Sequence, residues 1–250
     1  MQAPACIHNL RMDWQDDGVL LIARLYGETA AILEVFTAAH GRHLGVLPGG
    51  ASRSKAAILQ PGTQLRLTWR ARLDEHLGTW SVEPVAQRAG VLSQAAALNA
   101  LTSAAALLHL GLPERQAHER LYAATLRLFD ALDQGADWAG EYLAWELLLL
   151  EEAGFGLDLT SCAVNGGAQD LAYVSPRTGR AVSTTGAGDW ASRLLPLPPV
   201  LLGQVPATPQ NVALGLDLTG YFLLRALAPS LGDKPLPEAR TRLLQSLQRG

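Results

Sequence analysis

The strongest constraint on the fold is the strict alternation of apolar and polar residues from Gln64 to Leu73. Successive side chains of a β-strand point to opposite faces, so this run predicts a strand with one buried face and one solvent face. The apolar members are Leu65, Leu67, Trp69, Ala71 and Leu73. We expect Trp69 to pack in a core. The other face would expose Arg66, Arg70 and Arg72.

Four more segments with strand character lie close to this run, and glycine or proline separates most of them. The five predicted strands span residues 18–26, 29–37, 42–48, 63–73 and 78–84. Five short strands within about 70 residues predict a small closed barrel.

From about residue 91 the apolar spacing becomes helical. Helices are predicted over 92–110, 114–132, 136–153, 209–231 and 237–248. We therefore predict an α+β chain with a five-stranded barrel over 12–88 and a helical domain over 89–250. An irregular insertion, 156–195, interrupts the helical domain and contains a hairpin-like run over 171–182. Residues 1–11 lack a period, so we expect either a disordered extension or an over-long start, with Met12 as the true one.

Charge is segregated along the chain, although the net charge is only -3. No Asp or Glu lies between Val35 and Leu73, and no Lys or Arg lies between Leu128 and Pro176. The basic stretch favours a surface that meets phosphates, with Trp80 or Tyr26 as the aromatic ring that stacks on a base. The alternative is a solvated basic face balanced by acidic residues elsewhere.

The insertion has the spacing of a zinc ribbon from which most ligands are missing. Cys162 is present, but Asn165 stands where its partner would be, and a structural zinc needs four thiolate or imidazole ligands. We therefore predict no metal and a hairpin that folds by packing alone. Cys6 and Cys162 are far apart and no signal-like segment is present, so we expect no disulfide and a cytoplasmic location. The longest apolar stretch, Ala139–Leu150, is too short for a bilayer.

Two patterns could carry catalysis. The run Thr184–Asp189 resembles the phosphate-binding signature of ribokinase-type sugar kinases, but prolines follow too soon for the required helix. The acidic pair Glu141 and Glu146 has the wrong spacing to share a helix face, and a solvated helix edge is the favoured interpretation. No catalytic constellation results, so the chain is not predicted to be an enzyme.

Longer strings resemble the RecO family of bacterial recombination mediators, in its proteobacterial branch. They include Trp69-Arg-Ala-Arg72-Leu-Asp-Glu-His-Leu-Gly78 and Ala172-Tyr173-Val-Ser-Pro-Arg-Thr-Gly179-Arg-Ala-Val, with further matches over 18–29, 37–53, 154–164 and 232–240. The resemblance covers nearly the whole chain from Met12. It implies an N-terminal OB-fold and a helical domain with a zinc-finger-like insertion, which binds zinc only in members with four cysteines.

The same resemblance implies a non-catalytic, nucleoid-associated role in the RecF pathway of DNA repair. Such a protein binds single- and double-stranded DNA, anneals strands, associates with RecR and with the tail of single-stranded DNA-binding protein, and helps load RecA. The DNA-binding candidates are Arg24, Arg42, Arg53, Lys55, Arg66, Arg70 and Arg72. For the acidic tail, we consider Arg120 and Arg127, which lie beside apolar helix positions. The alternatives are a kinase-like phosphotransferase based on Thr184–Asp189 and a protein-interaction module with an incidental basic face.

Overall fold

A computed structural model describes residues 12–73 and 75–249. The two alternative interpretations of residues 1–11 lie outside the described residues. Contacts divide the chain into two compact units. One contains the strand-rich part up to Gln87 together with the short segment Pro113–Glu119, and the other contains the remaining residues from Arg88 onward.

The first unit is built on five strands, which confirms the number and order of the predicted ones. They are β1 (Met12–Tyr26), β2 (Ala30–Thr37), β3 (Gly41–Leu47), β4 (Gln64–Ala71) and β5 (Thr79–Ala86), and the short helix α1 (Arg53–Ala56) lies between β3 and β4. The strands form a closed barrel in the order β1-β2-β3-β5-β4. The pairing of β3 with β5 is parallel, and the others are antiparallel.

Strand β1 closes the barrel because it is long enough to pair on both sides. Its first half, Met12–Val19, pairs with β4, and its second half, Gly18–Tyr26, pairs with β2. A register shift between Leu20 and Ile22 accompanies the change of partner, as expected where a strand bends around a barrel. This strand begins six residues before the predicted start at Gly18.

The alternation in β4 produces the barrel core. Leu65, Leu67 and Trp69 are fully buried and pack with residues of β2 and β5. The expectation fails at Leu73, which is exposed because β4 ends at Ala71. The chain then turns at Gly78, whose φ is +65° and whose position leaves no room for a Cβ beside the Trp69 ring.

The second unit is mainly helical, as predicted. Its longer helices are α2 (Ala95–Gly111), α3 (Glu119–Gln134), α4 (Ala139–Glu152), α6 (Pro209–Ala226) and α8 (Glu238–Arg249), and α7 (Ala228–Leu231) is a single turn. No helix in the described ranges is long and apolar enough to cross a membrane.

An ion pair lies inside this unit, contrary to the expected solvated edge at Glu146. The carboxylate of Glu146, on α4, is fully buried and accepts hydrogen bonds from Arg240 Nε at 3.0 Å and Arg240 Nη2 at 2.6 Å. Thr219 Oγ1 also donates to it, and Arg240 Nη2 donates to the Leu216 carbonyl at 2.6 Å. These bonds join α4, α6 and α8. Periodicity missed the pair because its partner lies 94 residues away.

The insertion contains a small sheet of β6 (Leu171–Val174), β7 (Ala181–Ser183) and β8 (Leu195–Pro196) in the order β7-β6-β8. The predicted hairpin is β6 and β7. The kinase-like run forms the one-turn helix α5 (Thr184–Ala187) and the first two residues of a short 3-10 helix, Gly188–Arg193, where Gly188 has φ +46° and interrupts the α-helical path. A single turn is too short to act as a phosphate-binding helix.

Candidate nucleic-acid interface

The seven basic candidates fall into three environments within the barrel unit. Arg24, Arg53 and Lys55 lie around one end of the barrel, Arg66, Arg70 and Arg72 lie on and after β4, and Arg42 lies on β3. These environments differ in how far carboxylates neutralise the cations.

The outward face of β4 is balanced by carboxylates on both neighbouring strands. Asp17 and Asp13 of β1 stand directly opposite Arg66 and Arg70, and Glu83 of β5 also stands opposite Arg66. The Arg66 Nε atom lies 3.4 Å from Asp17 Oδ1. Opposite charges in such cross-strand positions attract each other. The two arginines therefore share their face with three carboxylates.

The Arg42 side chain is held inside the barrel unit by two carboxylates. Its side chain is only 12% exposed, and its Nη1 atom lies 2.7 Å from Glu34 Oε1 and 3.8 Å from Glu114 Oε1. Its carbonyl oxygen also accepts a hydrogen bond from the Arg115 N–H at 2.8 Å. A phosphate would have to displace Glu34, which is itself buried and would then lack this partner.

The barrel end around Arg24, Arg53 and Lys55 is the least neutralised of the three. No Asp or Glu among the described residues forms a salt bridge with Arg24, Arg53 or Lys55. We call this region the basic tip and define it as Arg24–Thr29 together with Gly50–Gln60. Its one carboxylate is Glu28, in the exposed turn between β1 and β2.

The basic tip also exposes apolar and aromatic side chains. Leu25 is 78% exposed and Tyr26 is 54% exposed. Beside them lies a groove of about 200 Å³, lined by residues that include Arg24, Ala51, Ser52 and Ala56. Cations, an exposed ring and a groove are the components that single-stranded nucleic acid requires of a binding surface.

The two aromatic candidates for base stacking have different environments. Trp80 is buried, and its Nε1 atom donates to the Leu33 carbonyl at 3.3 Å, so it cannot stack on a base. Its ring fills the space above Gly45, where a Cβ would lie 2.6 Å from Nε1. Tyr26 is accessible, and Trp69 is buried as predicted.

The sequence interpretation missed the carboxylates that face β4. Asp13 and Asp17 lie before the predicted start of β1. The sequence pattern therefore did not place them on a strand that pairs with β4. Their spacing of four places both on one face of a strand. That spacing was the available signal.

The helical unit contains a cavity of about 660 Å³ next to Arg120 and Arg127. Its apolar lining includes Ala124, Leu147, Leu148, Leu157 and Leu159. Arg120 Nη1 donates to Glu151 Oε1 at 3.0 Å, and this bond together with the charge of Glu151 raises the pKa of Arg120 above its ordinary value. Cations beside an apolar cavity can recognise a peptide that carries both a carboxylate and an apolar side chain.

The residues around Cys162 do not fit a zinc ion. Its thiol sulfur accepts hydrogen bonds from the Ser183 N–H at 3.2 Å, the Ser183 hydroxyl at 3.3 Å and the Val164 N–H at 3.4 Å. Burial opposes ionisation of the thiol, but these donors outweigh it and lower its pKa to about 6. In the part of the chain that the structure describes, no three His, Cys, Asp or Glu residues gather into a metal site.

Comparison with known proteins identifies the family. The model for the Recombination protein O N terminal matches residues 12–88, and that for the Recombination protein O C terminal matches residues 92–235. The chain is 57% identical over 238 residues to the DNA repair protein RecO of Cereibacter sphaeroides strain ATCC 17023, covering 95% of this chain and 100% of that protein. It is 55% identical over 240 residues to the DNA repair protein RecO of Jannaschia sp. strain CCS1, covering 95% and 97%.

A third relative, the DNA repair protein RecO of Dinoroseobacter shibae, is 54% identical over 239 residues, covering 95% of this chain and 99% of the relative. Both family models and these full-length matches agree with a role in DNA repair and recombination and not with an enzyme. The chain belongs to the RecO family of DNA repair proteins.

Proposed function

We propose that this protein is a recombination mediator that binds single- and double-stranded DNA through the basic tip of its barrel. The observation that carries the proposal is the contrast among the candidate cations. Those of the basic tip make no salt bridge among the described residues, whereas Arg66 and Arg42 lie against carboxylates. Phosphates bind most readily where no protein anion must be displaced.

The barrel topology supports the same assignment. A five-stranded barrel in the order β1-β2-β3-β5-β4 suits an OB-fold, which binds nucleic acid through its strands and the loops at its ends. The β1–β2 turn and the connection that contains α1 form the basic tip. Arg72, in the exposed turn after β4, would extend the path of the backbone.

Binding of this kind is electrostatic and weak in sequence preference. Each phosphate neutralised on single-stranded DNA contributes about -0.7 to the slope of log K against log salt. Two strands held by mobile phosphate contacts can still exchange partners, which is what annealing requires. We propose that this activity, together with RecR, prepares DNA for RecA in the cytoplasm, at the nucleoid.

The cavity beside Arg120 and Arg127 is the proposed site for the acidic tail of single-stranded DNA-binding protein. An apolar side chain of the tail would enter the cavity, and its carboxylates would pair with the two guanidinium groups. Arg120 would then exchange Glu151 for the tail. We expect Arg127→Ala to weaken binding of a synthetic tail peptide by several-fold in calorimetry while leaving DNA affinity unchanged.

Two variants of equal charge change test the proposed DNA surface. Arg24→Ala/Arg53→Ala removes two arginines from the basic tip, and Arg66→Ala/Arg70→Ala removes two from the face of β4. With exposed ion pairs of about 0.2–1 kcal/mol each, we expect the first variant to lose roughly five-fold in affinity for a labelled single strand. The second should lose less, since each of its arginines already faces a carboxylate.

The outcome separates the remaining alternatives. If the wild type does not bind DNA at low salt, the proposed function fails and a protein-interaction role gains support. If it binds and the β4 variant suffers the larger loss, the chosen surface is wrong.

A further inference from the structure

The groove of the basic tip differs in size and lining from a path for the DNA backbone. Its volume is about 200 Å³, and its lining includes the small side chains of Ala23, Ala31, Ala51 and Ala56. Sites for drug-sized ligands span roughly 300–1,000 Å³. This groove therefore suits one flat ring and is too small for a folded ligand or several nucleotides.

Cationic and polar groups border the small side chains. Arg24, Ser52 and Gln60 are all part of its lining. Arg53 and Lys55 belong to the same helical turn as Ala56, so phosphates on either side of a bound base would meet cations. A ring in this groove would contact apolar side chains on its face and polar groups at its rim.

The groove is already formed in the protein. The Ala51 N–H donates to the Thr29 carbonyl at 3.1 Å, which ties the connection after β3 to the β1–β2 turn. The Gly50 N–H donates to the Leu47 carbonyl at 3.1 Å, and a Cβ at Gly50 would lie 2.7 Å from the Ala31 side chain. Because these backbone segments are fixed together, a ligand need not order the groove when it binds.

From these observations we propose that the groove binds an unpaired nucleobase of a single strand, inserted between the last residues of β1 and α1. The inference rests on the proposed DNA binding and adds a site that a paired base cannot occupy. Tyr26, exposed next to Leu25 at the end of β1, offers a stacking surface to the neighbouring base. The groove would favour single strands, while the surrounding cations bind either form of DNA.

Two adjacent alanines allow this site to be tested without changing any charge. Ala56 lines the groove, whereas Ala57 is exposed and does not. Leucine at position 56 should fill the groove, and leucine at position 57 is the matched control. Both variants should be measured by fluorescence anisotropy with a single-stranded oligonucleotide, with the corresponding duplex, and with a single strand whose bases have been removed.

We expect Ala56→Leu to bind the normal single strand about ten-fold more weakly than wild type, as for the loss of one stacked base. Its affinity for duplex and for the abasic strand should equal that of wild type, and Ala57→Leu should match wild type throughout. The proposed nucleobase site is wrong if Ala56→Leu and Ala57→Leu both bind the single strand, and do so with equal affinity. If wild type and control bind no DNA, the proposed function itself has failed.

Discussion

The buried pair of Glu146 and Arg240 allows a quantitative test of the helical unit. Burial opposes the charge of Arg240, but the Glu146 carboxylate more than offsets this and raises the pKa of Arg240. Arg240→Met would leave Glu146 as a buried carboxylate without its cation. Breaking such a pair costs about 3–5 kcal/mol. At about 2–4 °C per kcal/mol for a chain of this size, Tm should fall by roughly 6–20 °C.

Far-ultraviolet circular dichroism during heating measures this change, and two controls define its cause. Arg242→Met breaks the exposed pair with Glu238, at 3.0 Å, and should alter Tm little. Glu146→Leu/Arg240→Met removes both buried charges and should recover most of the loss. A buried pair of this kind is contradicted if Arg240→Met melts at the same temperature as wild type, or if the double variant is less stable than the single one.

Three further predictions concern other parts of the chain. Gly41→Ala should destabilise the barrel in urea far more than Gly49→Ala, since both have positive φ but only a Cβ at 41 would meet a backbone oxygen, at 1.8 Å. The strain at 49 alone should cost about 1–2 kcal/mol. Arg42→Ala should lower Tm by leaving Glu34 without this cation, while the DNA affinity of the folded fraction stays unchanged. The depressed pKa of Cys162 stabilises the folded state above the thiol's unfolded pKa of about 8.5 and less as pH falls toward 6. The urea midpoint of wild type, minus that of Cys162→Ser, should therefore be larger at pH 8.5 than at pH 6.

The sequence was most informative where one strand or helix determines its own pattern. The alternation of β4 predicted which face is buried, because side-chain direction in a strand is set locally. It could not predict that Leu73 is exposed, since the end of the strand depends on the turn at Gly78 and on the Trp69 ring packed against it.

Features that depend on pairing were not accessible from local patterns. The carboxylates opposite Arg66 and Arg70 follow from the register of β1, and the burial of Glu146 follows from the distant Arg240. The basic tip is likewise formed by the β1–β2 turn and the connection after β3. Charge along the sequence therefore indicated a phosphate-binding surface, but only the strand register shows which of its cations face carboxylates.

The salt dependence of single-strand affinity is the most direct test that the basic tip binds DNA. Wild type, Arg24→Ala/Arg53→Ala and Arg66→Ala/Arg70→Ala should be titrated by anisotropy over a series of salt concentrations. Loss of two phosphate contacts should make the slope of log K against log salt shallower by about 1.4 in the first variant. The slope of the second should stay close to that of wild type. Equal slopes in wild type and the first variant, or a change confined to the second, would contradict the account.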